Sequence, residues 1–465
     1  MTSKLRCRIS RLMWSLALAL PVAVSGADVV SIWGGARGTV VRKSDGTVWT
    51  WGANFSGKLG VGLSSTNLSR ALVPMEVHGS GDAGLFNSVN AIMGGEVHNV
   101  ALKSDGTVWA WGNNIFGQLG NGSTNEAHTP VQVSGLNSVT ALGGRGYHTL
   151  AVESDGSVWG WGWNSMGELG NGTNNPTTVP VRVIGITNPA AVSAGYRFSI
   201  ALMTNGTVYQ WGHGRVIGGS YVPVQTPGLS NIVAISAGWD HALALRSDHT
   251  VWAWGLNGEG ELGDGTTNSR TNPVQVTTLS NIVAVSGGDW HSSALDSDGT
   301  VWKWGRNDVG QLGNGTADGT NVVAHPIPTK IQLDNNGAGF SNIVMVAARD
   351  WHNIALKSDG SVWQWGANDQ GQCGDNSTTD RWRPVQVTGL GPRVGLLLNV
   401  QPSAQPGQID LSWATANGEF FDLEYSTDPT MGLPRVLFTN IQSTPPINIV
   451  TIPATNSIGF FRLRF

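Results

Sequence analysis

Cysteine is nearly missing: Cys7 and Cys373 are the two present in 465 residues. A chain this poor in cysteine has no disulfide framework, so its stability must come from packing. Charge is scarce as well, at 12% of residues with a formal net charge of −4. That balance offers no basic surface excess to nucleic acid or to an anionic membrane. The longest apolar run, Leu12 to Val24, falls short of the ~20 residues that a spanning helix needs, and no transmembrane helix is expected. Phosphate loop, zinc-ligand spacing, nucleophile elbow and amphipathic helix are all missing. No catalytic residue, cofactor or metal is therefore assigned, and the chain is not expected to be an enzyme.

What is present begins with Lys4, Arg6, Arg8 and Arg11, followed by the apolar run and then Ser25, Gly26 and Ala27 before Asp28. This order predicts a secretory signal peptide over residues 1–27 and a secreted protein, whether periplasmic, cell-surface or extracellular. Its removal would take Cys7 and leave 23 basic against 31 acidic residues.

From there a motif dominates. Asp-Gly-Thr/Ser-Val-Trp-x-Trp-Gly recurs seven times with small changes, starting at Asp45, Asp105, Asp155, Asn205, Asp248, Asp298 and Asp359. Self-similarity at a period near 50 marks repeat architectures. Unit five shows the content of one repeat. Asn231 to Gly238 reads as a short apolar strand, Trp239 to Leu245 as a second, and Thr250 to Gly255 as a third after a turn at Asp248. A Gly-rich loop, Gly260 to Gly265, is matched at Gly117, Gly167 and Gly310, and the unit closes on Pro273-Val-Gln-Val276. The period of two puts each Trp pair on one face, packed on a neighbouring sheet, while the residue between the pair varies and faces a more tolerant side. Proline is expected at the start of an edge strand. Four short strands per unit and seven units predict an all-β protein, a seven-bladed β-propeller over residues 28–391.

Unit four lacks the Gly loop, having Gly214 to Gly219 instead, and Cys373 replaces the loop Leu of unit seven. Unit one has Arg37-Gly38 where others carry a His segment, so imperfect ring closure is expected near Asp28.

The ordered blocks Gly-x-x-His-x-x-Ala-Leu, Ser-Asp-Gly-Thr-Val-Trp-x-Trp-Gly, Gly-Gln-Leu-Gly and Pro-Val-x-Val resemble the repeat of the regulator-of-chromosome-condensation propeller family, here as a bacterial secreted member. Kelch repeats share the period and a Gly pair but lack the Gly-Gln-Leu-Gly block. Beyond residues 392–407, read as a linker, alternating segments within 408–465 predict a small β-sandwich-like domain resembling a fibronectin type III module.

His98, His148, His241, His291 and His352 share one repeat position. Equivalent positions of different blades are separated around a ring, so these residues are expected to hydrogen-bond within their own blades and not to converge on a metal. Beside them stand irregular aromatic and charged residues at a turn, hence at one rim. Tyr147, Tyr196, Trp239, Asp289, Trp290, Arg349, Asp350 and Trp351 are the candidate binding residues, since aromatic and Arg side chains dominate interface energetics. A secreted β-lactamase-inhibiting propeller of the resembling family binds through aromatics at the rim position matched by Tyr147, Trp290 and Trp351. The expected function is non-catalytic binding of an extracellular or envelope protein by a monomer. The alternatives are a polysaccharide ligand or, as the family's eukaryotic members imply, guanine-nucleotide exchange.

Overall fold

A computed structural model of the chain describes residues 28–390, except 83, 214–218 and 334–338, together with short C-terminal strands between 399 and 464. Residues 1–27 lie outside it, and so does the signal segment read there. Among the described residues no helix is long and apolar enough to cross a membrane.

Residues 28–391 form one compact unit, a seven-bladed β-propeller. Each blade is an antiparallel meander of four consecutive strands, in blade one Val29–Gly35, Gly38–Lys43, Val48–Ala53 and Arg70–Glu76. The first strands touch one another in sequence order around the axis. That of blade seven, Ile343–Arg349, touches Val29–Gly35 and closes the ring. No strand is exchanged between the first and last repeats. The expected defect near Asp28 does not occur: Trp51 donates to the Gln372 carbonyl at 2.8 Å, the contact made at the other interfaces, and the Asp350 side chain accepts from the Arg37 N–H at 3.1 Å where other turns use a backbone carbonyl.

The second Trp of every motif is fully buried: Trp51, Trp111, Trp161, Trp211, Trp254, Trp304 and Trp365. A buried indole N–H must find an acceptor, and here it finds one in the preceding blade. Trp111 donates to the Lys58 carbonyl at 2.9 Å, Trp161 to Gln118 at 2.9 Å, Trp211 to Glu168 at 2.7 Å, Trp304 to Glu261 at 2.7 Å and Trp365 to Gln311 at 3.0 Å. Each acceptor sits in a Gly-rich loop, so the loop of one blade is pinned to the core of the next. Blade four lacks that loop, and Trp254 donates instead to the Gln210 side chain at 2.9 Å. The residue between the Trp pair is therefore buried too, contrary to the tolerant face expected for it. Polar types persist there because each is bonded, as Thr50 is to the Leu59 carbonyl at 2.6 Å and Gln364 to Thr39 at 2.7 Å.

Proline sits within the outer strand and not at its start. In blade two the register shifts between Ala110 and Gly112, opposite Val131 and Ala127, and Pro130 occupies that bulge, where no ladder donor is needed.

The C-terminal unit, described separately, holds two three-stranded antiparallel sheets. One orders Asn399–Pro402, Gln408–Trp413 and Asn448–Pro453; the other Arg435–Gln442, Phe420–Ser426 and Phe460–Arg464. Strand Asn399–Pro402 lies inside the segment read as a linker, and Arg435–Gln442 was not foreseen.

The last Gly of the loop block bears two constraints at once. Gly120 has φ +64°, and a Cβ there would stand 2.8 Å from Trp161 Nε1. Gly135 has a similar φ of +77° with no atom within 4 Å of such a Cβ. Gly135→Ala should cost about 1–2 kcal/mol for the backbone, and Gly120→Ala about 1–3 kcal/mol more for overpacking, read from urea unfolding. Gln210→Leu leaves the Trp254 N–H unsatisfied and should cost about 1–3 kcal/mol in the same measurement.

Candidate functional site

The turns that join first and second strands gather at one end of the axis. They are bonded head to tail. The Glu96 N–H donates to the Gly146 carbonyl at 3.0 Å, Gly146 to Gly195 at 3.3 Å, Tyr196 to Trp239 at 3.0 Å, Trp239 to Gly288 at 3.2 Å and Asp289 to Asp350 at 3.5 Å. Asp350 then accepts from the Arg37 N–H, and the Lys58 ammonium joins blades one and two by donating to the carbonyls of Ala36, Gly95 and Glu96 at 3.1, 3.2 and 2.9 Å. All seven turns are thus linked in a closed hydrogen-bonded ring.

Two buried arginines cross the channel beneath it. Arg145 pairs with Asp289 and donates to the Gly287 and Ala237 carbonyls at 2.5 and 3.3 Å. Arg349 reaches the Gly144 carbonyl at 2.9 Å and lies 4.9 Å from the centre of the Trp33 ring. Desolvation lowers Lys58 to about 8 and raises Glu96 to about 7, the latter helped by the nearby Asp289 charge. Asp350 is likewise pushed well up by desolvation, with Asp289 and Glu96 adding to it.

Outside this ring runs an arc of aromatic side chains. Phe116 packs edge-on against Trp163 and Tyr147, with ring centres 4.2 and 5.7 Å apart. Tyr147 meets Tyr196 at 5.8 Å, Tyr196 stacks on Trp239 at 3.7 Å and 10°, and Trp239 lies 6.4 Å from Trp290. Tyr147 and Trp290 stand one residue before the His, whereas Tyr196 and Trp239 stand two residues before the equivalent Phe198 and His241; the curvature of the turns brings all four into one row. The arc ends at a depression of about 370 Å³ lined by Ala36, Arg37, Phe55, Glu96, Val97, Trp239, Asp289, Trp290, Asp350 and Trp351. Five of the eight candidate residues line it. Tyr147 and Tyr196 belong to the arc, and Arg349 is buried beneath. Burial raises the Tyr147 hydroxyl to about 12, so it stays protonated.

Sequence reasoning missed Glu96, Lys58, Arg145, Phe116 and Trp163. A signal existed for Arg145: it interrupts Gly143-Gly144-Arg145-Gly146, a turn otherwise made of small residues.

The histidines bond across blades, not within them. His148 Nε2 meets Ser199 Oγ at 2.8 Å, and Ser199 donates on to the same Glu168 carbonyl that receives Trp211. His98 to Thr149, His241 to Ser292, His291 to Asn353 and His352 to Thr39 repeat the contact at 3.0, 2.9, 2.9 and 3.4 Å. Burial lowers His98, His148, His241 and His352 to about 3, so these rings are neutral at any physiological pH. Each is bound into the blade interface.

An RCC1-like domain model matches residues 174–405, and the regulator of chromosome condensation (RCC1) repeat matches residues 45–102 and 105–152. The ultraviolet-B receptor of Arabidopsis thaliana is 37% identical over 100 residues, 21% of either chain. An X-linked retinitis pigmentosa GTPase regulator homolog of Caenorhabditis elegans is 33% identical over 106 residues, 22% of this chain and 7% of that one. The match thus spans about a fifth or less of these relatives. Among solved structures, Prp20p of Saccharomyces cerevisiae superposes with a TM-score of 0.64 at 23% identity, covering 75% of this chain and 87% of that one, a likeness of fold.

The plant and worm relatives correct the expectation of a bacterial secreted member, and with it the signal peptide and the secreted location. The fibronectin type III assignment does not hold either: the family matches to this chain are to RCC1-type models, which end at residue 405.

Glu96 gives a pH test of the site. Its carboxyl is raised from an ordinary 4.5 to about 7, so it costs nothing below pH 4.5, destabilises progressively as pH rises through that interval, and does so fully above 7. Glu96→Gln should match the native chain in unfolding free energy at pH 4 and exceed it by about 1–3 kcal/mol at pH 8.

Proposed function

Because this chain belongs to the regulator-of-chromosome-condensation repeat propellers, we propose that it is a protein-interaction scaffold that engages its partner through the aromatic arc and the axial depression. One observation carries the proposal. Half-buried aromatic rings from blades three to six stand in a continuous row on turns that are locked to one another, at a position where blades one and two carry Arg37 and Val97 instead. Preorganised aromatic anchors lower the ordering cost of association. Tyr147, Tyr196, Trp239, Trp290 and Trp351 are assigned as contact residues, with Asp289 and Asp350 setting the charge of the depression and Arg349 supporting it from below. The role proposed is binding and not catalysis, since the cations Lys58, Arg145 and Arg349 are engaged in holding the turns. The six C-terminal strands are read as a small sandwich-like appendage, from their pairing as two sheets.

The test is affinity capture from an extract of the source cells, followed by titration of the captured protein against variants. Trp290→Ala combined with Trp351→Ala should weaken binding at least tenfold, while Trp382→Ala, a half-exposed tryptophan on the outer strand of blade seven, should leave it unchanged. Equal affinity for the native chain and the double variant would remove the assigned face. Retention on polysaccharide, lost in the double variant, would replace the protein partner with a carbohydrate.

A further inference from the structure

The depression contains an imbalance between its acids and its bases. Three carboxylates line it, Glu96, Asp289 and Asp350, together with the base Arg37. Three further cations, Lys58, Arg145 and Arg349, lie in the ring and the channel below. Every cation is engaged elsewhere: Lys58 by three carbonyls, Arg145 by Asp289 and two carbonyls, Arg349 by Gly144 and the Trp33 ring, and Arg37 by Asp369 at 3.4 Å with its guanidinium 5.8 Å from the Trp351 ring centre. Among the described residues the Glu96 carboxylate accepts no hydrogen bond, and Asp350 accepts one from a backbone N–H. Two carboxylates therefore stand in a largely desolvated hollow, with cations nearby but none in direct ion-pair contact with either among the described residues, beside the indoles of Trp239, Trp290 and Trp351.

Resting on the interaction face proposed above, we infer that this depression takes one arginine side chain of the partner polypeptide. Glu96 and Asp350 accept from the guanidinium, and the tryptophan rings receive its flat face. The size fits a side chain, since about 370 Å³ lies at the small end of ligand pockets and a helix of ~10 Å diameter does not enter. The chemistry selects arginine over lysine: a planar, weakly hydrated cation stacks on indole and satisfies two carboxylates at once, whereas an ammonium gives up more hydration to enter. An entering cation also favours the ionised form of Glu96, so binding releases a proton and strengthens as pH rises from 6 to 8. The other groups around Glu96 do not reverse this sign. Lys58, lowered to about 8, is held charged by its three carbonyls below that pH, and Tyr147 remains neutral.

The experiment uses the whole chain and an immobilised library of hexapeptides with a fixed central arginine, beside the same library carrying citrulline, which keeps the shape and removes the charge. Retention on arginine over citrulline should be at least tenfold at pH 8, smaller at pH 6, and lost in Glu96→Gln combined with Asp350→Asn. Both substitutions are compatible with folding. The first removes a desolvated charge, and asparagine tolerates the φ of +37° at position 350. A thermal-unfolding midpoint at least equal to that of the native chain confirms this. Equal retention on arginine and citrulline, or a preference untouched by the acid variants, overturns the inference. If the tryptophan pair weakens the captured partner while the acid pair does not, the interface stands and the arginine pocket falls. If neither does, both fall.

Discussion

Everything in this ring depends on one contact: the indole N–H of a buried tryptophan reaching into a glycine loop of the blade before it. A blade of four short strands cannot bury both of its faces by itself. Its neighbour must supply the acceptor, and that acceptor is a loop carbonyl brought close by a glycine whose missing Cβ makes room for the indole. The same carbonyl in three interfaces also receives a serine or asparagine bonded in turn to the histidine of the blade before, as in His291, Asn353, the Gln311 carbonyl and Trp365. Tryptophan, glycine and histidine, which look like three separate motifs in the repeat, are parts of one interface. Blade four shows the constraint from its exception, since loss of the loop is met by Gln210 extending to the orphaned indole.

The binding face follows from that rigidity. With each blade fixed to the next, seven turns meet at one end of the axis closely enough to bond to one another, and side chains on those turns are held without relying on their own packing. Positions free of a packing duty can vary from blade to blade. The irregularity of Tyr147, Tyr196, Trp239, Trp290 and Trp351, set against the constancy of the buried tryptophans, has this physical origin. The two arginines below the ring close the channel, so the depression has a floor and is not a pore.

The propeller was legible in the sequence because its determinants are local: a period near 50, a two-residue alternation and a turn signal in every unit. The direction of the bonds was not, because it depends on distance between units. Histidine bonding was expected within a blade and is between blades; the residue between the tryptophans was expected on a tolerant face and is sealed against a neighbour. Of the site, the aromatic turns could be read from their position beside the histidines. Lys58 could not, since it lies in a loop and reaches the axis only through the fold. The reading of residues 1–27 as an export signal rested on composition, and similarity to eukaryotic propellers outweighs it.

Exchange of the indole protons with deuterium, followed by nuclear magnetic resonance with ¹⁵N-labelled tryptophan, tests the central claim most directly. If the blades are held as one body by these contacts, the indoles of Trp51, Trp111, Trp161, Trp211, Trp254, Trp304 and Trp365 exchange together, at the rate of global unfolding and far more slowly than those of Trp290 and Trp382. Exchange of these seven blade by blade, or as fast as the half-exposed tryptophans, would contradict it.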